Sequence, residues 1–271
     1  MIQAEVEYLA GPSPRPIYHA SSAGRHAAHE IDEPMRLVTV NVEDARQRPD
    51  NDEMDAFGLH ASGFSLVSLP TRVDNFLDDA QIKAIYESEL EAFLISHTGG
   101  RRVMIFDHTV RASDPDVRET KQIREPAYLV HNDYTAKSGF VCLRENLGDE
   151  AEELLKRRFQ ILNIWRPLVD PVENFPLALC DARTLEAGDL IAAERRAPRH
   201  IGEIQLAVHA NRHRWYYYPK MRPPEVLLFK TFDSINQGML PCSIHSAIRL
   251  PDPPPDARPR ESVESRVFVF Y

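Results

Sequence analysis

The chain has 271 residues, of which 43% are hydrophobic and 27% charged, and its formal net charge is −9. This composition is typical of a soluble globular protein, and the acidic balance argues against general nucleic-acid binding, which needs a basic face. The N-terminus lacks the basic start and apolar core of a signal peptide, and no apolar run reaches the roughly 18 residues of a membrane span. We therefore expect neither a nucleic-acid nor a membrane partner.

Three cysteines, Cys142, Cys180 and Cys242, are widely separated along the chain. Their odd number and their spacing fit neither a disulfide framework nor a zinc site. This favours a reducing, cytoplasmic location. For assembly, the sequence leaves a homodimer open.

The first 125 residues mix loop, strand and helix signals. Residues 1–35 contain closely spaced prolines and small polar residues, which predict an irregular N-terminal arm. Residues 36–125 then read as N-terminal strands and a helix. Apolar residues at helical spacing predict a helix over 78–97, ended by Gly99 and Gly100. The remaining elements predicted in the first 160 residues are strands over 35–44, 64–71 and 101–110 and a short helix over 147–159.

From residue 127 the pattern changes to short β-like segments separated by prolines and glycines. Strands are predicted at 127–133, 159–168, 177–185, 189–195, 203–210, 214–219, 225–233, 243–250 and 262–271. This segregation excludes a doubly wound parallel sheet and predicts a mainly β (α+β) fold. We expect a jelly-roll-like double sheet with N-terminal helices packed on one sheet. No linker divides the chain, so 1–271 is predicted to be one domain with its β core at 126–271.

The triplet His131-Asn132-Asp133 ends the first of these later strands. Residues two apart on a strand face the same side, so His131 and Asp133 can point into one barrel mouth. An imidazole and a carboxylate suit Fe(II), and a second histidine completes a facial triad with open coordination positions. The alternative for an isolated triplet of this kind is a polar turn with a helix cap or a salt bridge.

Four downstream histidines are candidates for the third ligand. His200 lies in a charged connector, whereas His209 and His213, four apart, fit a surface loop at least as well as a site. His245 lies on a short β-like stretch, followed by the proline-rich segment 250–260 and one last strand. The residues alone leave the choice among these four open.

Arg260 stands at the start of the last strand, with Ser262 on the same face. A planar guanidinium can bind a carboxylate through two hydrogen bonds, so this position suits the distal end of a dicarboxylate. Arg258 and Arg266 are the alternatives. We prefer Arg260 to Arg266, because six residues of strand, about 20 Å, would place Arg266 far from the barrel mouth, where it would pair with Glu264 or another acid.

The order His-x-Asp, distal His, Arg-x-Ser resembles an Fe(II)/2-oxoglutarate-dependent oxygenase on a double-stranded β-helix. Several stretches are similar to the fungal and bacterial hydroxylase/desaturase group related to the cephamycin methoxylation accessory protein. The resemblance runs from about residue 36 to the C-terminus. It is carried by RVMIFDHTVR, VHNDYT, RFQILNIWRPL, PLALCDART, RWYYYPKMRPPEVLLFKTFDS, SIHSAI and PRESVESRVFVFY.

This resemblance implies that His131, Asp133 and His245 bind Fe(II) and are the catalytic centre. It also implies that 2-oxoglutarate lies near Arg260 and Ser262, and that O2 is the second cosubstrate. Such an enzyme would oxidise a C–H bond of a small secondary metabolite or amino-acid derivative, by hydroxylation, desaturation or oxidative cyclisation. Its partner would be a small-molecule substrate.

Three further residues are candidates for contacts in the site. Asn163 and Trp165 share a strand face, so Asn163 can hydrogen-bond the cosubstrate if Trp165 points into the barrel. The alternative is a core tryptophan beside a satisfied asparagine. Tyr134 follows the predicted metal ligand at a position that varies in the family, and it is expected to form a wall of the substrate pocket.

Two other classes of function remain open at this point. One is a non-catalytic accessory subunit of a tailoring enzyme, which would have no reason to retain the whole ligand set. The other is a cupin-like metallohydrolase or isomerase, which would not need an arginine after the distal histidine.

Overall fold

The computed structural model describes residues 1–48, 58–198, 200–235 and 242–271. Fifteen strands in these ranges form two sheets. They are β1 (Ile2–Leu9), β2 (Ile17–His19), β3 (Glu30–Ile31), β4 (Met35–Asp44), β5 (Phe64–Ser68), β6 (Arg102–Ala112), β7 (His131–Asn132), β8 (Phe159–Pro167), β9 (Leu177–Cys180), β10 (Leu190–Ala197), β11 (His200–Ala207), β12 (Trp215–Tyr217), β13 (Glu225–Asp233), β14 (His245–Ala247) and β15 (Glu261–Phe270).

The larger sheet has ten strands, in the order β1-β4-β12-β9-β14-β7-β11-β10-β2-β3. The smaller sheet has five strands, in the order β5-β13-β8-β15-β6, and all of its pairs are antiparallel. A buried cluster that includes Trp165, Leu179, Tyr216 and Phe229 joins the two sheets face to face. The prediction of a mainly β, jelly-roll-like double sheet is therefore confirmed.

The five-stranded sheet has two buried faces with different contents. On β15, Val267 and Val269 belong to the apolar cluster on one face of the sheet. Ser262, Glu264 and Arg266, with Arg260 just before the strand, point to the other face, toward the interior between the sheets. This alternation follows from the period of two along a strand. It places an unusually polar strip inside the protein.

The long predicted helix forms as three continuous segments, α1 (Asp79–Gln81), a π turn (Ile82–Tyr86) and α2 (Glu87–Thr98). Asp78 caps its N-terminus by accepting from two backbone N–H groups, and Gly99, with φ of 71°, ends it in the left-handed conformation. Tyr86, Leu90 and Leu94 pack on the apolar face of the five-stranded sheet. The expected packing of helices on one sheet is confirmed here.

The predicted second helix over 147–159 is wrong in its bounds. The structure has α4 (Ser138–Leu147), one 3₁₀ turn and a short α5 (Ala151–Leu154), while Phe159 already belongs to β8. These helices follow α3 (Pro115–Lys121) and pack on Phe159, Ile161, Phe232, Phe268 and Phe270 of the five-stranded sheet. Since Phe159 is buried in the sheet, its burial outweighs any helical pattern at that position. The start of α4 was missed because its first N–H groups bond to the Thr135 hydroxyl, outside the helix.

The expectation of an irregular N-terminal arm is also wrong in part. Residues Ile2–Leu9 form β1, which pairs along its whole length with β4, and β2 and β3 extend the far edge of the same sheet. The reason lies in the alternation of buried Ala4, Val6 and Tyr8, whose apolar side chains join the main core.

The predicted strand over 127–133 is shorter than expected, with only His131–Asn132 in the sheet. Among the described helices, none has the length and apolar character to cross a membrane.

Candidate active site

Two neighbouring strands bring the two key histidines together. In the antiparallel pair of β7 and β14, His131 lies directly opposite His245, so both side chains project from the same face. Their ring centroids are 4.3 Å apart. Asp133 follows just after β7, with its Oδ1 3.5 Å from Nε2 of His131. One potential ligand atom from each of His131, Asp133 and His245 lies within 4.8 Å of the others.

Backbone carbonyls orient both imidazoles. Nδ1 of His131 lies 3.0 Å from the carbonyl oxygen of Leu129, and Nδ1 of His245 lies 3.3 Å from that of Ser243. Because a carbonyl can only accept, Nδ1 is the donor in each ring, and Nε2 is the nitrogen left to face the site. Burial and the nearby His131 lower the pKa of His245 to about 3, which keeps this ring neutral. Neutral imidazoles with one nitrogen held by a carbonyl are suited to ligate a metal ion.

Asp133 is held through one of its two oxygens. Its Oδ2 accepts a hydrogen bond from Nδ2 of Asn163 at 2.8 Å and from Nε of Arg266 at 2.9 Å. Burial alone would raise the pKa of Asp133, but Arg266 and the two histidines outweigh it and hold the pKa well below its usual value. The carboxylate is therefore ionised, and its Oδ1 faces the histidines.

Arg266 binds three carboxylates at once. In addition to Asp133, its Nη1 donates to Asp107 at 2.5 Å and its Nη2 to Glu264 at 2.6 Å. Burial alone would lower the pKa of Arg266, but these three acids raise it well above its usual value. The expectation that Arg266 lies far from the ligand set is wrong, since it touches Asp133 directly. The expected pairing with Glu264 is present.

Arg260 has a different environment. Its side chain is only 2% exposed, donates to Oγ of Ser262 at 3.1 and 3.2 Å and to the carbonyl of Phe175 at 2.9 Å, and lies 5.0 Å over the ring of Trp165. In the described ranges no carboxylate lies within 4.0 Å of it. Burial lowers the pKa of Arg260 to about 10. The indole Nε1 of Trp165 is also buried and has no hydrogen-bond partner among the described residues.

Asn163 is hydrogen-bonded to the carboxylate of Asp133. Its Nδ2 donates to Asp133, and its Oδ1 accepts from the hydroxyl of Thr231 at 3.3 Å. Trp165, on the same face of β8, packs in the core between the two sheets, so the structure shows the alternative of a core tryptophan beside a hydrogen-bonded asparagine. A contact of Asn163 with a cosubstrate stays a prediction.

A cavity of about 1270 Å³ opens onto the site. Its lining includes His131, Asp133, Arg266 and Tyr134, so Tyr134 is part of a pocket wall, as expected from the sequence. The Tyr134 hydroxyl lies 3.9 Å from Sγ of Cys142. Burial raises the pKa of Tyr134 well above its usual value, and the hydroxyl stays protonated.

The other candidate histidines lie outside the ligand set. His213 is hydrogen-bonded to Tyr8 at 2.9 Å and to Asp189 at 3.1 Å, and His209 packs edge-on against the ring of Tyr8. His200 is half-exposed and lies 3.3 Å from Glu145. Of these four histidines, the structure brings His245 beside His131 and Asp133.

The contact of Arg266 with Asp107 was not identified from the sequence. Asp107 lies opposite Arg266 in the β6–β15 pair, and Asn163 lies opposite Arg266 in the β8–β15 pair. The alternation along β15 places Glu264 beside Arg266 and was visible in the sequence. The register with β6 was not, since nothing local specifies which residue of another strand lies opposite.

Residues 6–270 match the family model described as oxidoreductase/YMDC permease-like domain. The chain belongs to this oxidoreductase family and, within it, to the Fe(II)/2-oxoglutarate-dependent dioxygenases. This agrees with the two histidines, the carboxylate and the buried Arg260, which has no carboxylate within 4.0 Å among the described residues.

Individual relatives support the assignment. The chain is 31% identical over 242 residues to the alpha-ketoglutarate-dependent dioxygenase phiK of a fungal species, covering 87% of this chain and 84% of the relative. It is 33% identical to the hydroxylase/desaturase efuI of Hormonema carpetanum, over 79% of each chain. The solved structure of the iron and alpha-ketoglutarate-dependent endoperoxidase NvfI superposes with a TM-score of 0.83 at 27% identity, covering 99% of this chain and 97% of NvfI. In Aspergillus novofumigatus the dioxygenase nvfI is 30% identical over 85% of this chain and 82% of its own length.

The protein is therefore an oxidoreductase that depends on Fe(II), 2-oxoglutarate and O2. The expectations about enzyme class and cofactors are confirmed. The alternatives of a non-catalytic accessory subunit and of a metallohydrolase or isomerase have no support among these relatives.

Proposed function

We propose that His131, Asp133 and His245 hold the Fe(II) ion. The observation that carries this assignment is the convergence of their ligand atoms within 4.8 Å, with Nδ1 of both imidazoles at backbone carbonyls and Oδ2 of Asp133 bound by Asn163, so that both Nε2 atoms and Oδ1 of Asp133 are left for the metal. Two neutral imidazoles and one carboxylate are the donor set that non-haem Fe(II) oxygenases use, and they leave coordination positions for other ligands. When bound, the iron supplies the chemistry that activates O2 against a C–H bond.

The neighbouring residues hold the side chains of His131, Asp133 and His245 in place without a metal ion. The carbonyls of Leu129 and Ser243 hold the two rings, and Arg266 and Asn163 hold the carboxylate. Such outer contacts keep ligands in one orientation and one protonation state. The role of Arg266 in this proposal is to position Asp133 and to keep it ionised.

We infer further that Arg260 and Ser262 receive the distal carboxylate of 2-oxoglutarate. A buried guanidinium without a carboxylate partner is costly, and Trp165 beside it carries an unpaired N–H donor. The dianionic 2-oxoglutarate would supply a partner for the Arg260 guanidinium and for the Trp165 N–H. Arg266 is less suited to this task, because three carboxylates already occupy its nitrogens.

The substrate is proposed to be a small secondary metabolite or amino-acid derivative that fills the 1270 Å³ cavity beside Tyr134. Hydroxylation, desaturation and oxidative cyclisation are all outcomes of hydrogen removal at one carbon, and the naming of NvfI as an endoperoxidase adds peroxide formation to this range. How the cavity holds the substrate decides among them. The cavity walls also exclude bulk water from the reacting carbon.

We place the enzyme in a reducing, cytoplasmic compartment, because Cys142, Cys180 and Cys242 are all free thiols. The chain is proposed to act as a single oxygenase domain over residues 1–271. A homodimer stays a prediction, which sedimentation analysis of the purified protein would test.

The decisive experiment is an anaerobic titration with Fe(II) followed by 2-oxoglutarate. The native protein should bind one iron and then develop a metal-to-ligand charge-transfer band, and His245→Ala should lose most of its iron affinity. The control is His97→Ala, which removes an exposed histidine of α2 that stacks on Phe93. Iron binding unchanged in His245→Ala, together with its loss in His213→Ala, would show that the third ligand is wrong.

A further inference from the structure

Five arginines line the cavity that His131 and Asp133 also line. Arg15 and Arg266 have acidic partners, and the other three are Arg111, Arg124 and Arg195. None of these three is used by the site described above. In the described parts of the chain, no carboxylate lies within 4.0 Å of any of the three guanidinium groups.

The fold brings these arginines together from both sheets. Arg111 is on β6, and an isolated β-bridge sets Arg124 directly beside it. Arg195 is on β10 of the larger sheet, paired with Tyr18 of β2. The arginines therefore lie where the outer strands of the two sheets approach one another, with Tyr18 among them.

The positive charges of the other two arginines act on the pKa of Arg124. Burial lowers the pKa of Arg124, and the positive charges of Arg111 and Arg195 lower it further. All three also act to lower the pKa of Tyr18, although burial of the Tyr18 hydroxyl raises it overall. The like charges are close enough to repel, and their grouping costs free energy unless an anion compensates it.

The nearest acid compensates only part of this charge. Glu125 acts to raise the pKa of Tyr18, and Arg111 acts to lower the pKa of Glu125. The Glu125 carboxylate accepts a hydrogen bond from Ser21 at 2.8 Å and lies 3.5 Å from His29. Arg111 itself donates to the backbone carbonyl of Glu125 at 2.9 Å. One carboxylate against three guanidinium groups leaves an excess of positive charge.

Four acids of the cavity lining have other partners. Glu194 binds Arg196 at 2.6 Å and Arg15 at 3.5 Å. Glu203 accepts from the Thr135 hydroxyl, Glu145 lies 3.3 Å from His200, and Asp107 is bound by Arg266. The three-arginine wall is thus left to bind an anion that enters the cavity from solution.

We propose that the substrate of this enzyme is a carboxylic acid, whose carboxylate binds at the wall formed by Arg111, Arg124 and Arg195 while the carbon to be oxidised lies toward His131 and Asp133. This inference rests on the proposed function, because it names the substrate class of that site. Arginine binds carboxylates with charge-assisted, paired hydrogen bonds, so the wall would fix both the position and the orientation of the substrate. It would select an acid over its amide or ester.

The test uses enzyme loaded with Fe(II) and 2-oxoglutarate in the absence of O2, so that the cosubstrate site is filled. Calorimetric titration compares 2-naphthoate with the neutral 2-naphthamide, which has almost the same shape. The native enzyme should bind the acid at least about tenfold more tightly than the amide. Arg124→Leu and Arg195→Leu should each weaken binding of the acid by about tenfold or more and leave binding of the amide unchanged.

The matched control is Arg196→Leu, the next residue on β10, which is exposed and not part of the cavity lining. Its partner Glu194 keeps the contact with Arg15, so acid binding should stay native. Arg124 and Arg195 lie on different segments, so a folding defect in one variant leaves the other as the test. Equal binding of acid and amide, full acid affinity in the folded variant, or no saturable binding of the acid to native enzyme would each overturn the inference.

The charge-transfer band with 2-oxoglutarate is recorded on the same samples. The inference expects this band at native intensity in both arginine variants. Loss of 2-oxoglutarate binding in them would mean that the wall holds the cosubstrate instead, which also overturns the inference. If the native enzyme itself gives no band, the proposed function fails, whatever the outcome with naphthoate.

Discussion

Nε of Arg266 lies 2.9 Å from Oδ2 of Asp133, and this contact ties the last strand of the chain to the candidate metal site. The same guanidinium also donates to Asp107 and Glu264, so one cation lies among three acids. Its charge holds the pKa of Asp133 well below its usual value. Arg266 therefore makes an ionised Asp133 compatible with its buried surroundings.

We predict that Arg266→Leu destabilises the protein by about 3–5 kcal/mol, because it leaves buried carboxylates without their counter-charge. Urea unfolding of the iron-free protein measures the free energy of unfolding. The control Arg72→Leu removes an exposed arginine paired with Glu89, and it should cost no more than about 1 kcal/mol. An Arg266→Leu variant with native stability that no longer binds 2-oxoglutarate would contradict this role and would make Arg266 the cosubstrate receptor.

We predict that Gly139→Ala destabilises the fold by about 1–3 kcal/mol through overpacking. A Cβ at position 139 would lie 2.4 Å from ring atoms of Phe232, which is buried among other phenylalanines beneath α4. Gly188→Ala is the matched control, since a Cβ there meets no atom within 4 Å. Thermal unfolding of both variants is the measurement. Equal melting temperatures would show that α4 moves away from the sheet without cost.

We predict that the stability of the protein depends on pH through the carboxyl group of Asp233. Burial alone would raise the pKa of Asp233, but its contacts with Arg158 and Gln160 outweigh this and lower the pKa. A carboxyl with a lowered pKa stabilises the fold above its unfolded value of roughly 3.9, and this contribution is lost as the pH falls through the folded pKa. Asp233→Asn should therefore be less stable than native protein at pH 7, by about 1–3 kcal/mol. The difference should shrink on acidification below about pH 4, as urea unfolding at each pH would show. A difference that is constant with pH would contradict an ionic origin.

The sequence was sufficient for the parts of the site that depend on local periodicity. The alternation of strand residues places His131 and Asp133 on one face and aligns Arg260, Ser262, Glu264 and Arg266. The same rule applied to Ile2–Leu9 would have revealed β1, but the prolines that follow it suggested a loop. Where the pattern is local and the residues are buried on one face, sequence analysis succeeds.

The rest of the site depends on contacts between distant segments. His245 joins His131 only because β14 pairs with β7, and Asp107 meets Arg266 only through the register of β6 with β15. Neither pairing is encoded in a short stretch of residues. The resemblance to known oxygenases supplied His245 as the proposed third ligand. The position of Arg266 needed the structure, since strand distance alone suggested that it lies far from His131 and Asp133.

The last prediction concerns the arginine that binds 2-oxoglutarate, and the structure changes the reason for choosing Arg260. Arg260 is preferred because, among the residues that the structure describes, it is buried with no carboxylate partner and lies beside the hydroxyl of Ser262 and the indole of Trp165, whose N–H has no partner there either. Loss of a charge-assisted contact costs roughly 1.5–3 kcal/mol, which corresponds to about a 10- to 150-fold loss of affinity. We expect Arg260→Leu to raise the KM for 2-oxoglutarate by this factor, while its iron affinity stays native because Arg260 touches none of the proposed ligands.

Two further variants separate binding from folding in this prediction. Arg260→Lys keeps the charge but not the planar fork, and it should recover part of the affinity for 2-oxoglutarate. Ser262→Ala removes one neutral hydroxyl, and its effect on the KM should be smaller, about 2- to 13-fold for a loss of roughly 0.5–1.5 kcal/mol. Succinate formation at varied 2-oxoglutarate concentration gives the KM of each variant, and anaerobic iron titration gives the metal affinity. A folded Arg260→Leu enzyme with a native KM for 2-oxoglutarate would show that the cosubstrate binds elsewhere, and the three-arginine wall would then be the next place to test.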